Sequence, residues 1–181
     1  NEFAFDAAYS RLLTKNISGG ITFRFIYSNL AGGSFSGGVA SKAGISFAAD
    51  VSGYYQKDIS VFSNDGVLGF GLNISNIGSK MSYSDGQIAD FIPMNLRLGS
   101  SVTVNLNNFN KVTLIIDINK LLIPTPPEYS TTNPDSIVRG KNPDISVPLA
   151  FFQSFYDAPG GLIEELHEIT YSYGLEYWYN N

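Results

Sequence analysis

His167 is the only histidine in the 181-residue chain, and it lies among Glu164, Glu165 and Glu168. An imidazole beside carboxylates is the arrangement of acid–base catalysis and of nucleophile activation. A serine–histidine triad would have to use this one residue, and a metal site built from several histidines is excluded. The glutamates are spaced i, i+1, i+4, which could chelate a hard cation but is also the ordinary spacing of a polar helix face. Asp50, Asp117 and Glu176 are the other acids that proton transfer could use, and Arg24 and Arg97 are placed to neutralise them. Gly32, Gly33, Gly37 and Gly38 lack the strand–loop–helix setting and the lysine of a phosphate loop. There is no cysteine, so disulfides and thiolate-bound metals are excluded. The sequence therefore predicts no catalytic residue, no metal and no cofactor. His167 reads as a polar rim residue and the acids as the lining of a wet interior.

The elements that hold these residues are more informative. Apolar and polar residues alternate in seven windows, at 3–10, 20–28, 44–55, 67–76, 94–105, 112–119 and 168–179. Period-two alternation means a β-strand with two unlike faces. Met94, Leu96, Leu98, Val102 and Val104 fall on one face of the fifth window. Asn95, Arg97, Ser101, Thr103 and Asn105 fall on the other. The charged residues Asp6, Arg24, Asp50, Arg97, Asp117, Glu168 and Glu176 all take the polar parity. A basic residue on a lipid-facing barrel position costs roughly 2–4 kcal/mol at the midplane, and one-sided sorting is what that cost enforces. Most windows suit the ~9–11 residues of a membrane-spanning strand better than the ~5–6 of an average soluble one. Tyr9, Tyr27, Tyr55, Tyr177, Trp178 and Tyr179 lie near window ends, where aromatic belts meet the membrane–water interface. A soluble β-sandwich binding module, which also alternates, is the competing architecture.

Composition agrees with a wall rather than an enzyme. Hydrophobic residues are 44% and charged residues 15%, against roughly 25% charged in ordinary soluble domains. No apolar run is long enough for a membrane helix. The net charge of −5 argues against nucleic-acid partners. The connections alternate short (11–19, 56–66, 106–111) and long (29–43, 77–93, 120–167), as in bacterial outer-membrane barrels with short periplasmic turns. The expected fold class is thus all-β: residues 1–181 as a single domain, part of a transmembrane antiparallel β-barrel in a lipid bilayer. Seven strands cannot close such a barrel, whose strand number is even. No signal peptide opens the chain, so one is expected to have been removed or to lie outside an internal fragment.

The 120–167 connection is expected to be a long extracellular loop. It is polar through 130–142, then carries two short amphipathic helices broken at Asp157-Ala158-Pro159-Gly160-Gly161. Val147, Phe151, Phe152 and Phe155 are too apolar for a solvated loop unless they pack or meet a partner. They either plug the barrel mouth or form a seat for a partner.

Specific phrases then become comparable. Gly71-Leu72-Asn73-Ile74-Ser75-Asn76-Ile77-Gly78, followed by Asp90-Phe91-Ile92-Pro93-Met94-Asn95-Leu96-Arg97-Leu98-Gly99, resembles the central signature of the PorV family of outer-membrane type IX secretion proteins. Asp117-Ile118-Asn119-Lys120-Leu121-Leu122-Ile123-Pro124-Thr125-Pro126-Pro127, Asp157-Ala158-Pro159-Gly160-Gly161 and Gly174-Leu175-Glu176-Tyr177-Trp178-Tyr179-Asn180-Asn181 are similar to it as well. The first phrases also occur, more loosely, across the FadL-like barrels. The resemblance implies a fourteen-stranded outer-membrane barrel without enzymatic activity. It implies a carrier that binds the C-terminal signal domains of secreted cargo proteins and shuttles them from a SprA-type translocon to a PorU-type attachment complex. Pro124, Pro126, Pro127, Tyr129, Val147, Phe151, Phe152 and Phe155 are the expected cargo- or partner-binding residues. Asp6, Arg24, Asp50, Arg97, Asp117 and Glu176 are the expected polar lumen. The alternative function is a FadL-like channel for hydrophobic small molecules.

Overall fold

The computed structural model describes residues 1–29, 35–36, 39–40, 42–84 and 89–179. The four glycines of the 29–43 connection and the terminal Asn180-Asn181 lie outside the described residues. In chain order the elements are β1 (Glu2–Leu12), β2 (Ile17–Ser28), β3 (Phe35–Ser36), β4 (Val39–Ala40), β5 (Gly44–Val61), β6 (Asn64–Gly78), β7 (Asn95–Asn107), β8 (Asn110–Leu121), β9 (Glu128–Tyr129), β10 (Ile137–Arg139), α1 (Val147–Gln153), α2 (Leu162–His167) and β11 (Ile169–Tyr179). The seven long strands form one antiparallel sheet in the order β1-β2-β5-β6-β7-β8-β11. Each long strand pairs with the long strand before and after it in the chain, and β1 and β11 are the two edges. The sheet is therefore open rather than closed. Among the described residues no helix is long and apolar enough to cross a membrane.

Register aligns the apolar parity across the whole sheet. Phe5 faces Phe25, Phe25 faces Phe47, Val51 faces Ile74, Leu72 faces Leu98, Leu98 faces Ile118 and Ile118 faces Tyr171. A slip of one residue in any pair would mix the faces, so a single continuous apolar surface results. It is exposed: Phe5, Ile21, Phe47, Leu114 and Leu175 all present most or about half of their surface outward. The buried hydrophobic cluster is small and lies on the polar-parity side. Met81 and Ile92 of the 79–94 connection pack there on Ala48, with Ile26 and Tyr83 against them. The sheet thus shows hydrocarbon-like side chains outward and small or polar ones inward, the reverse of a soluble domain.

The strands are longer than their sequence windows, because turns are tighter than composition suggests. Phe62 and Ser63 alone join β5 to β6, both with positive φ (49° and 69°), the conformation of a type I′ hairpin turn. Asn108 and Phe109 alone join β7 to β8, where the Asn107 side chain accepts bonds from the Phe109 N–H (2.9 Å) and the Asn110 amide (2.8 Å). Lengthening places Arg11, Lys57 and Lys120 on the apolar parity, beyond the charge-free windows, Arg11 and Lys120 next to strand ends and Lys57 four residues before the end of β5. Two expected strand residues fall elsewhere. Met94 precedes β7 and is 1% exposed, and Glu168 is the C-terminal cap of α2. Tyr55 is not at a strand end, since β5 runs on to Val61, yet it stands level with Ile17, the first residue of β2. Trp178 takes the polar parity beside Lys111, whose amine sits 5.2 Å from the indole.

Candidate functional site

The polar face centres on Arg24. Its guanidinium donates to Asp6 directly across the β1–β2 pair (2.8 Å) and to Asp50 on β5 (3.3 Å). It also donates to the side-chain oxygen of Asn76. Asn76 reaches this point because the β5–β6 register shifts between Ala49 and Val51. The extra residue is absorbed with Asn76 at φ 58°, a left-handed conformation that asparagine tolerates better than most residues. Its N–H then donates to Asp50 (2.7 Å), and its amide donates to the Pro93 carbonyl (2.9 Å). The bulge so ties the wall to the 79–94 connection.

The remaining expected lumen residues share this face without joining the cluster. Among the described residues Arg97 has no ion-pair partner within 4 Å; it stands between Asn73 and Asn119 in register. Asp117 stands opposite Gly99, where a Cβ would come within 2.6 Å of its carboxylate. Glu176 accepts from the Trp178 indole at 3.4 Å. Tyr54 lies over Gly69 and Gly71 of β6, and a groove of about 290 Å³ runs past it between Gly99, Ile115 and Asp117. Thr103 and Thr113 bridge β7 and β8 at 2.9 Å. Carboxylates on this face meet arginine, hydroxyls and backbone, and His167 is not on it. Among the described residues no cluster of acids and histidines could hold a metal ion.

The second site is at the loop end of the sheet, where the 79–94 and 122–168 connections meet. Lys80 binds Asp144 (3.1 Å) and stacks 4.4 Å from the Phe91 ring. A cleft of about 290 Å³ opens beside this pair, lined by Ala89, Phe91, Ile123, Pro124 and Pro143. Pro124 and Pro127 are buried, whereas Pro126 and Tyr129 stay exposed. Pro127 packs on Gly140, whose φ of 86° and lack of a side chain permit the approach.

Beyond the cleft, α1 and α2 are joined through the Asp157-Ala158-Pro159-Gly160-Gly161 break. Pro148 in the first turn of α1 and the positive φ of Gly161 at the start of α2 set their ends. Phe151 packs edge-on against Phe152 and Phe155, at 5.1 and 6.3 Å. Val147 is half-buried, while Phe152 and Phe155 remain largely exposed.

A buried charge cluster fixes these helices to the wall, and sequence reading missed it. Lys120 is 4% exposed, and its amine donates to Glu165 (2.9 Å) and Glu168 (2.8 Å). The second oxygen of Glu165 accepts the Ala158 N–H (2.8 Å), and that of Glu168 accepts the Thr125 hydroxyl (2.7 Å). Asp157 lies alongside. One oxygen accepts from the Thr125 N–H (3.2 Å) and Gln153 (3.4 Å), and the other has no partner. Burial pushes the Asp157 carboxyl up from its ordinary range, against the pull of those two donors. The signal for Lys120 was its parity. It stands between Leu96 and Ile169 in register, an apolar-face position where a buried lysine calls for an acid partner.

A family model described as "Type IX secretion system protein PorV" matches residues 1–128 of this chain. No curated protein matches the chain.

Proposed function

We propose that this chain, which belongs to the PorV family of type IX secretion system proteins, forms part of an outer-membrane β-barrel wall that receives secreted cargo and passes it on. The observation that carries the wall is the inverted sheet: a continuous exposed apolar surface in register across seven strands, over an inner face of Arg24, Asp6, Asp50 and small residues. Backbone groups in a bilayer have to be paired internally, and long antiparallel strands within a closed barrel do this. Further strands between β11 and β1 would complete the closure. Membership of the family supports a role in secretion without chemistry of its own.

Cargo is received at the loop end. The cleft beside Lys80, Phe91 and Pro124 combines an apolar floor with one cation and two acids, Asp90 and Asp144, a surface suited to the signal domain of a cargo protein. Pro126 and Tyr129 extend it on the same segment. From there the cargo is handed from a SprA-type translocon to a PorU-type attachment complex. The alternative is a FadL-like route for hydrophobic molecules, which the charged Arg24 cluster on the polar face does not favour. The test is cargo capture by the full-length protein in native membranes. Lys80→Glu with Phe91→Ala is expected to reduce co-purification of cargo at least tenfold while heat-modifiable migration persists. Undiminished capture by a correctly assembled variant would remove the cleft from the mechanism.

A further inference from the structure

A helix pair in water turns its apolar side inward and its charges outward. α1 and α2 do the opposite. The buried positions of the pair and its junction are Ala150, Ser154, Asp157, Ala158 and Glu165. The outward positions are Leu149, Phe152, Tyr156, Leu162, Ile163 and Leu166, with Leu162 and Ile163 exposing 74% and 70% of their surface. Glu165 and Glu168 are held by pairing with Lys120 and Asp157 is buried beside them; His167 is exposed and Glu164 half-buried, but the displayed surface is mainly aliphatic and aromatic.

Where this pair sits follows from the strand it is clamped to. Lys120 shares parity with Leu114, Ile116 and Ile118, whose side chains form the exposed apolar face of β8. Glu165 and Glu168 therefore reach Lys120 from the apolar side of the wall. Met94 and Leu122 at the same end are buried, although the same parity is exposed further along the strands. The helix-bearing end of the connection is thus clamped on the apolar side of the wall.

We propose that α1 and α2 form a collar seated in the acyl-chain and head-group boundary of the membrane, with Phe152, Leu162, Ile163 and Leu166 in contact with lipid. Two features favour lipid as the occupant. The exposed strip is clamped through Lys120 to a strand whose apolar side chains are exposed on the same parity, so one phase can cover both. The inversion of polarity is also what a hydrocarbon contact demands, since charges there have to be internal and paired. At the wet margin, Lys141 stands 3.8 Å from the Tyr156 ring, the kind of aromatic–cation pairing that suits a membrane–water interface.

This collar depends on the outer-membrane reading above, and the test separates the two. These 181 residues contain no cysteine, so single cysteines introduced here can carry a bimane label in the full-length protein, with any cysteine elsewhere replaced, reconstituted in vesicles. Phe152→Cys and Ile163→Cys report on the collar, Leu175→Cys on the apolar wall and Val138→Cys on the exposed loop strand. Brominated phospholipid is expected to quench positions 152, 163 and 175 by at least half and to leave 138 unaffected. Aqueous iodide is expected to quench only 138. Iodide quenching at 152 and 163 with lipid quenching retained at 175 would overturn the collar and leave the wall intact. Protection of 152 and 163 from both quenchers would mean a protein partner and would equally overturn it. Loss of lipid quenching at 175 as well would sink the membrane reading itself.

Discussion

Replacing Lys120 with methionine isolates what the charge cluster does. The side chains are similar in length and the position is apolar in parity, so the change removes the charge and leaves the packing. Glu165 and Glu168 lose amine contacts of 2.9 and 2.8 Å, and Glu165 is 5% exposed. Removing one partner of a buried ion pair costs roughly 3–5 kcal/mol, because the other charge is left uncompensated. At about 1.4 kcal/mol per tenfold, that cost raises the opening equilibrium of the 122–168 connection by about two to three and a half orders of magnitude. The assay is amide hydrogen exchange of the membrane-reconstituted protein, followed at Thr125, Ala158 and Glu165. These amides should exchange faster by that factor, and those of β2 and β5 should not change. Adding Glu165→Gln and Glu168→Gln to the methionine variant should restore most of the protection, since nothing charged then remains buried. Unchanged exchange at Ala158 in the single variant would refute the reasoning. Equal acceleration in β2 and β5 would refute it differently, by showing that the cluster holds the wall and not the connection.

Three further outcomes follow from the geometry. Asp157 has a folded-state pKa raised by burial. Its contribution to closure is therefore greatest below the ordinary carboxylate range and is lost as pH rises through the raised value; Asp157→Asn should abolish that dependence and slow exchange of the Thr125 amide at pH 7. Leu114→Arg, on the apolar face, should destabilise folding into vesicles by about 2–4 kcal/mol, whereas Ser172→Arg on the polar face should cost under ~1 kcal/mol, both read by denaturant titration of heat-modifiable migration. Gly78→Ala would drive a Cβ into the Phe47 carbonyl, while a Cβ at Gly53 would meet nothing within 4 Å; the first should cost about 1–3 kcal/mol and Gly53→Ala should be nearly neutral in the same titration.

The strands were legible in the sequence because a two-residue period survives turns, bulges and curvature. Every one of the seven windows lies largely inside an observed strand, and the alternating short and long connections hold. The ends were less legible for a physical reason. Gln56, Lys57 and Asp58 have turn-like composition, yet the ladder continues through them to a two-residue turn at Phe62-Ser63, because cross-strand bonding outweighs weak local preference. Arg24 was readable as a neutralising charge, since Asp6 and Asp50 share its parity. Asn76 was not, because a bulge shifts register by one and breaks the periodicity on which the reading depends. The loop helices were readable from apolar spacing on either side of a Pro-Gly-Gly break. Their polarity was not, because over six or seven residues the pattern shows that two faces exist without showing which one turns inward.

Lys120 is the residue that joins these levels. A lysine ending a strand on the apolar face has two options at a membrane edge: to snorkel toward water or to be met by acids. Here Glu165 and Glu168 meet it from a helix that follows 45 and 48 residues later in the chain, so the charge ties the connection to the end of β8. Glu165 spends its other oxygen on the Ala158 N–H, which fixes the helix break. Glu168 spends its other oxygen on the Thr125 hydroxyl, which fixes the proline-rich exit from β8. One amine thereby sets the direction of both halves of the connection. Pro124 is left lining the cleft with Phe91, and the helices are left with their aliphatic side chains turned away from the charge. The cleft and the collar are two consequences of the same ion cluster, and the methionine variant should disturb both together: cargo capture should fall, and the labels at positions 152 and 163 should become accessible to iodide. Loss of one without the other would mean that the cleft and the collar are positioned independently.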